Sequence, residues 1–164
     1  MSTVALSLGS NLGDRLQILR KAVCALEKQG FTILALSDVF ETPPWGVKEQ
    51  PRFLNACVLA ETSLSPEEVL AEVKEIEKSL GRTRTWRWGP RLIDLDIIFY
   101  DNVVMDTPAL TIPHAEMARR AFVLLPLTQA APYWRHPVTG FTAEEMARAL
   151  PDEETEGLVQ ISPL

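Results

Sequence analysis

The stretch Ser65-Pro66-Glu67-Glu68 fixes one point of the fold more firmly than any other. A serine able to accept the N–H three residues on, a glutamate there able to reach back, and a proline whose missing N–H costs nothing at the first position together start a helix. Val69, Val73, Ile76 and Leu80 then recur at helical spacing until Gly81, so this helix has an apolar stripe to bury. Strand-like runs flank it at residues 53–62 (FLNACVLAET) and 92–100 (LIDLDIIFY).

Working outward completes the pattern. Val4, Leu6 and Leu8 alternate with small residues as a first strand ending at Gly9, and after the Gly-Ser-Asn-Leu-Gly turn Asp14 caps a helix carrying Leu16, Leu19, Val23 and Leu26 up to Gly30. Residues 31–42 (FTILALSDVFET) are expected to pair antiparallel with 53–62, across a proline-rich loop too long for a tight hairpin. The order β-α-β-β-α-β predicts a ferredoxin-like α+β sandwich, an antiparallel sheet with its helices packed on one face. Asp101-Asn102 before Val103-Val104-Met105 predicts a short hairpin, and residues 115–120, 122–130 and 142–150 extra short C-terminal helices, the last capped by Thr142. The acidic run Asp152-Glu153-Glu154-Thr155-Glu156 is expected to be solvated surface.

With 164 residues and no repeat or linker, residues 1–164 are expected to form a single domain with a core that needs no disulfide. The net charge of −6 argues against nucleic acid or an anionic membrane as partner. Cys24 and Cys57 have no metal-ligand or redox spacing and are expected to be buried thiols. No run approaches the roughly 20 apolar residues that span a bilayer, so a reducing cytoplasm is the expected setting, and a monomer is the expected state.

Asp94 and Asp96 interrupt the apolar run Leu92-Ile93-Leu95-Ile97-Ile98-Phe99. At i and i+2 of a strand they share a face, opposite Ile93, Leu95 and Ile97. Two such carboxylates repel unless a cation lies between them, and their hard oxygens suit Mg²⁺; the alternative is a solvated pair satisfied by nearby arginines. Just before them, residues 82–91 hold four arginines and no acid, the composition of a polyphosphate-binding loop or of a solvated surface loop. No P-loop or kinase glycine loop occurs. His114, followed by Arg119 and Arg120, is either a phosphate contact or a packed histidine.

Taken together, Gly9-Ser10-Asn11-Leu12-Gly13, Glu41-Thr42-Pro43-Pro44-Trp45-Gly46, Phe53-Leu54-Asn55-Ala56, Arg87-Trp88-Gly89-Pro90-Arg91, Asp94-Leu95-Asp96 and Pro113-His114 closely resemble the 6-hydroxymethyl-7,8-dihydropterin pyrophosphokinase family, over roughly residues 3–135. The resemblance implies an ATP- and Mg²⁺-dependent diphosphokinase of folate biosynthesis that moves the β,γ-pyrophosphoryl group of ATP to a pterin hydroxymethyl group, leaving AMP. It implies that Asp94 and Asp96 bind two Mg²⁺ ions and, with Arg82 and Arg91, form the catalytic set. It assigns Leu70, Glu77, Arg84, Arg91, Ile97, Thr111, His114 and Arg120 to ATP, and Thr42, Pro43, Trp45, Phe53, Asn55, Trp88, Asp94 and Phe122 to the pterin. Phe53 and Phe122 would sandwich the ring, with Asn55 reading it. Lys74, Ala109 and Ala115 depart from the pattern, and the arginine loop is one residue shorter, departures that bear on nucleotide affinity. The rival readings are a nucleotide-binding regulatory domain of the same fold without catalysis and a Mg²⁺-dependent phosphoanhydride hydrolase.

Overall fold

A computed structural model of the chain describes residues 1–42, 52–81 and 92–164. The chain opens with strand β1 (Ser2–Ser10) and helix α1 (Arg15–Lys28), followed by β2 (Phe31–Leu36), β3 (Asp38–Thr42), β4 (Phe53–Thr62) and α2 (Pro66–Ser79). After β5 (Asp94–Tyr100) come two-residue strands β6 (Met105–Asp106) and β7 (Thr111–Ile112), a 3-10 turn (Met117–Arg119), helices α3 (Ala121–Ala130), α4 (Ala143–Arg148) and α5 (Asp152–Thr155), and β8 (Val159–Pro163). The main sheet runs β5-β1-β4-β3-β8, with β2 also on β4, and every pairing is antiparallel. This is the ferredoxin-like order that the alternation of periods predicts.

The predicted caps at Asp14 and Ser65 are in place. The Asp14 carboxylate accepts from the Gln17 N–H at 3.2 Å, and Ser65 and Glu68 exchange both bonds of a capping box. The helices α1 and α2 press Leu19, Leu26, Val69, Val73 and Ile76 onto Leu6, Leu8, Leu95 and Ile97, forming one core. A second core lies on the other face, where α3 and α4 bring Val123, Leu124, Leu127 and Met146 onto Ala5, Cys57, Leu59, Ile98 and Phe99. The sheet is therefore covered on both sides, and β1 is buried almost throughout because it carries apolar or small side chains to each.

A bulge makes the second core possible. Leu6 pairs with Ile97 and Ala5 with Phe99, leaving Ile98 as the extra residue, so Ile98 and Phe99 both reach the α3 side. Phe99 there stacks on Trp134, ring centres 4.3 Å apart.

Several local expectations change. The run 31–42 is two strands, because Ser37 turns its hydroxyl to accept from the Cys57 N–H at 2.8 Å and breaks the ladder. Residues 103–105 do not fold back on β5: Asp101, at φ 48°, turns the chain and binds the Thr3 N–H, and Met105–Asp106 pairs with Thr111–Ile112 instead. Cys24 is exposed, since its position falls off the α1 stripe, whereas Cys57 is buried. The run 115–120 yields a single 3-10 turn, and the helix predicted over 142–150 shortens to Ala143–Arg148 with Thr142 as its cap. Beyond the acidic run, residues 159–163 add a strand to β3 that the sequence pattern did not announce. Among the described residues no helix is long and apolar enough to cross a membrane.

Candidate active site

The second face changes character along its length. Directly paired residues of an antiparallel sheet share a face, so the registers order the side chains in rows. Ala5 lies between Leu59 and Phe99, beneath α3. In the next row Ser7 lies between Cys57 and Asp96, and in the next Gly9 lies between Asn55 and Asp94. Phe40 continues that row beyond Asn55, and Thr42 pairs with Phe53 in the last. Within two rows the surface passes from an apolar core to carboxylates, an amide and a hydroxyl.

Asp94 and Asp96 are half-buried, each flanked on β1 by a residue small enough to leave room above the sheet. Between them the Leu95 N–H donates to Glu77 Oε2 at 2.8 Å. Glu77, reaching from α2 and only 5% exposed, is thus a buried anchor for the backbone joining the aspartates and not the solvated glutamate a helix usually shows. On β4 the Asn55 side chain is 3% exposed and donates from Nδ2 to Thr42 Oγ1 at 2.8 Å, which leaves its orientation fixed. A Cβ on Gly9 would lie 3.0 Å from Asn55 Oδ1, so only glycine leaves that amide where it is.

The rim opposite comes from the segment after β7. The His114 N–H donates to the Ile98 carbonyl at 2.9 Å, hanging the histidine on the bulged edge of β5. Burial, and next the Arg120 guanidinium, push the His114 pKa below its ordinary value near 6.5, while Asp94 and Glu116 oppose the shift. His114 Nδ1 accepts from the Glu116 N–H at 3.1 Å, so the neutral ring carries its proton on Nε2 and presents a donor there. Arg120, at the entry to α3, sits 5.6 Å from the Phe122 ring centre. Phe53 and Phe122 are both half-buried, each with ring surface to offer.

The remaining residues assigned to ATP lie around the β5 edge. Leu70 packs against the α1/α2 core, Ile97 is a 4% exposed member of it, and exposed Thr111 bonds Asp106 at 3.3 Å. Ile97 therefore has backbone, not side chain, to offer a ligand. Pro43, Trp45, Arg82, Arg84, Trp88 and Arg91 lie outside the described residues. Among the described residues no group of three or more His, Cys, Asp and Glu side chains is placed to hold a metal. Asp94 and Asp96 nonetheless fit a hard divalent cation that keeps most of its positions for water and phosphate oxygens, which is how Mg²⁺ is commonly held.

Ser7 and Gly9 were missed as parts of the site. The alternation that puts Leu6 and Leu8 inward carries the signal, since it puts Ser7 and Gly9 on the opposite face, beside the aspartates.

A ferredoxin-like sheet with a carboxylate pair, an oriented amide and a histidine–arginine rim on one face defines a class, small α+β domains with a polar cluster on the sheet face beyond α3. The comparisons narrow it. Residues 5–132 match the model of the 7,8-dihydro-6-hydroxymethylpterin-pyrophosphokinase family, and the chain belongs to that family. It is 42% identical over 138 residues to the 2-amino-4-hydroxy-6-hydroxymethyldihydropteridine pyrophosphokinase of Aquifex aeolicus, covering 84% of this chain and 86% of that one. The protein of the same name from Bacillus subtilis is 44% identical over 131 residues, with 79% and 78% covered. The mitochondrial folate synthesis bifunctional protein of Pisum sativum is 47% identical over 124 residues, but these are only 24% of its length. A crystal structure of Plasmodium falciparum HPPK-DHPS with pteroate has the same fold at a TM-score of 0.72 and 15% identity, over 98% of this chain and 46% of that one.

Proposed function

We propose that the chain transfers the β,γ-pyrophosphoryl group of ATP to the hydroxymethyl oxygen of 6-hydroxymethyl-7,8-dihydropterin. The hydroxymethyl oxygen bonds to the β-phosphorus, the bond between that phosphorus and the oxygen bridging to the α-phosphate breaks, and AMP leaves with the bridging oxygen while the hydroxyl proton is lost. Family membership at this identity, over most of the Aquifex and Bacillus chains, supports the reaction. The observation that best supports the placement is the row Asn55–Gly9–Asp94, an oriented amide and a carboxylate on one face, separated by a residue with no side chain.

In this reading the pterin lies flat over Gly9 between Phe53 and Phe122, its edge read by Asn55 and Thr42, with Pro43, Trp45 and Trp88 adding to its enclosure. The triphosphate meets His114 and Arg120 on the rim, with Arg82, Arg84 and Arg91 from the arginine-rich segment. The nucleotide reaches round the β5 edge toward Leu70, Glu77, the Ile97 backbone and Thr111. Asp94 and Asp96 would hold two Mg²⁺ ions, which when bound neutralise the triphosphate and acidify the attacking hydroxyl. The protein's own contribution is alignment and charge: Glu77 fixes the aspartate backbone, His114 Nε2 donates to a phosphate oxygen, and the guanidiniums take up charge that grows on the leaving AMP.

Product analysis after mixing protein, ATP, Mg²⁺ and the pterin tests this. AMP formed one-for-one with a pterin diphosphate is expected. ADP would mean transfer of a single phosphoryl group, nucleotide consumed without pterin would mean a hydrolase, and no turnover would mean a binding domain.

A further inference from the structure

Arg15 opens α1, outside every motif that carries the proposed chemistry. Its Nη1 donates to Glu41 Oε2 at 3.1 Å and to the backbone carbonyl of Arg52 at 2.8 Å. Glu41 directly precedes Thr42, the last residue of β3, and Arg52 directly precedes Phe53, the first of β4. One guanidinium nitrogen therefore joins the end of β3 to the start of β4. Among the described residues Thr42 and Phe53 are the last register pair of the two strands.

Arg52 is held from a second side. Its own Nη1 donates to the Gly157 carbonyl at 3.0 Å, and the strand that follows Gly157 pairs Val159 with Glu41. The Arg15 and Glu41 side chains keep 31% and 27% of their exposure, so the pair is partly shielded and less weakened by solvent than a surface ion pair. These contacts converge on the two residues that set the spacing between Thr42, Phe53 and Asn55.

We infer that Arg15 is a positioning residue for the pterin: it clamps the ends of β3 and β4 so that Thr42 Oγ1, the Phe53 ring and the Asn55 amide stand at the separation the ring requires. The inference rests on the proposed function, in which those three residues face the pterin. A clamp of this kind acts on one substrate. Among the described residues the hydrogen bonds of Arg15 go to Glu41 and Arg52, and not to β5, α2 or the segment after β7.

The test is steady-state kinetics in both substrates, with thermal melts, on wild type, Arg15→Ala, Arg15→Lys and Glu41→Gln. Arg15→Ala is expected to raise the pterin KM about tenfold, the scale of a lost charge-assisted contact, and to leave the ATP KM within about twofold. Arg15→Lys, which keeps the charge and a donor, should recover part of the loss, and Glu41→Gln, which keeps the bond to Arg52, should lose less than Arg15→Ala. An unchanged pterin KM in Arg15→Ala overturns the inference, as does a rise in both KM values in step with a fall in Tm, the mark of a merely structural role. If Arg15→Ala does not fold, the other two variants decide, and the inference fails if neither alters the pterin KM. Absence of pterin-dependent AMP formation in wild type would overturn the functional reading and this inference with it, whereas wild-type turnover matched by Arg15→Ala would overturn the inference alone.

Discussion

The two faces of the sheet use the same strands to opposite ends. Toward α1 and α2 every row is filled: Leu6 and Leu8 of β1 are fully buried, and Leu95 and Ile97 of β5 are 4% exposed each. Toward α3 the filling stops halfway, and beyond Cys57 and Phe99 the same three strands present Ser7, Gly9, Asn55, Asp94 and Asp96. Neighbouring residues such as Asp94 and Leu95 thus carry unrelated duties a single peptide apart. An apolar side chain gains about 25 cal/mol for each Å² it hides, while an unpaired carboxylate taken fully out of water loses far more. The face that α3 leaves uncovered is where the aspartates can stay half-buried at tolerable cost. Substitutions on the closed face are therefore expected to change stability, and those on the open face turnover.

The sharpest break of that contrast would come from Asp94→Ala and Asp96→Ala. Each is expected to lower kcat about a thousandfold or more, roughly 4 kcal/mol of transition-state stabilisation, with little change in Tm because neither side chain belongs to either hydrophobic core. Retention of more than about a tenth of wild-type kcat, measured at saturating ATP and pterin, would remove these residues from the catalytic set.

Leu8→Ala is the counterpart one residue along β1 from Gly9. Its side chain is fully buried against the α1/α2 core, so a loss of about 3 kcal/mol is expected, or roughly 9 °C in Tm for a chain of this size. At 25 °C the folded fraction should keep wild-type kcat and both KM values. A large kinetic defect in a still-folded Leu8→Ala protein would mean that the faces are mechanically coupled.

The same contrast explains what could be read in advance. Elements that bury a stripe announce themselves: the Ser65 capping box and Val69, Val73 and Ile76 place α2, and Leu6 and Leu8 place β1. The Asp94/Asp96 pair is legible because a charge in an apolar strand is conspicuous. Elements held by edge pairing are not, so β8 escaped: Val159 and Ile161 are about half exposed, and its partner β3 lies more than a hundred residues earlier. The Ile98 bulge also left no mark, since an apolar run reads the same with or without a slipped register. Glu77 is the instructive case, a helix glutamate whose burial depends on the Leu95 N–H, a partner that no local pattern supplies.

Gly9→Ala asks how finely the open face is shaped. The added Cβ would stand 3.0 Å from Asn55 Oδ1 and displace an amide that Thr42 otherwise holds. Gly9 has no positive φ to protect, so the cost falls on the amide and not on the backbone. The pterin KM is expected to rise about tenfold, about 1.4 kcal/mol, with the ATP KM and Tm nearly unchanged. If instead Tm falls while the pterin KM holds, Gly9 serves packing and the row Asn55–Gly9–Asp94 does not read the ring.

The smallest effect is a pH dependence. His114 in the folded protein resists protonation, chiefly through burial and then through Arg120, so its pKa lies below the ordinary 6.5 of the unfolded chain. Below about pH 6.5 the unfolded state therefore binds more protons, and stability drains away as pH falls from there toward the folded pKa; above it the group contributes no slope. Protonation would also turn Nδ1 from acceptor to donor and break its bond to the Glu116 N–H. Urea titrations from pH 7.5 to 5.0, run in EDTA so that no metal shifts the balance, should show a shallower loss for His114→Gln than for wild type. Some slope should remain, because burial also lowers the pKa of His136. Equal slopes in the two proteins would place His114 in water on the open face, with its Nε2 proton no longer fixed by the Glu116 contact.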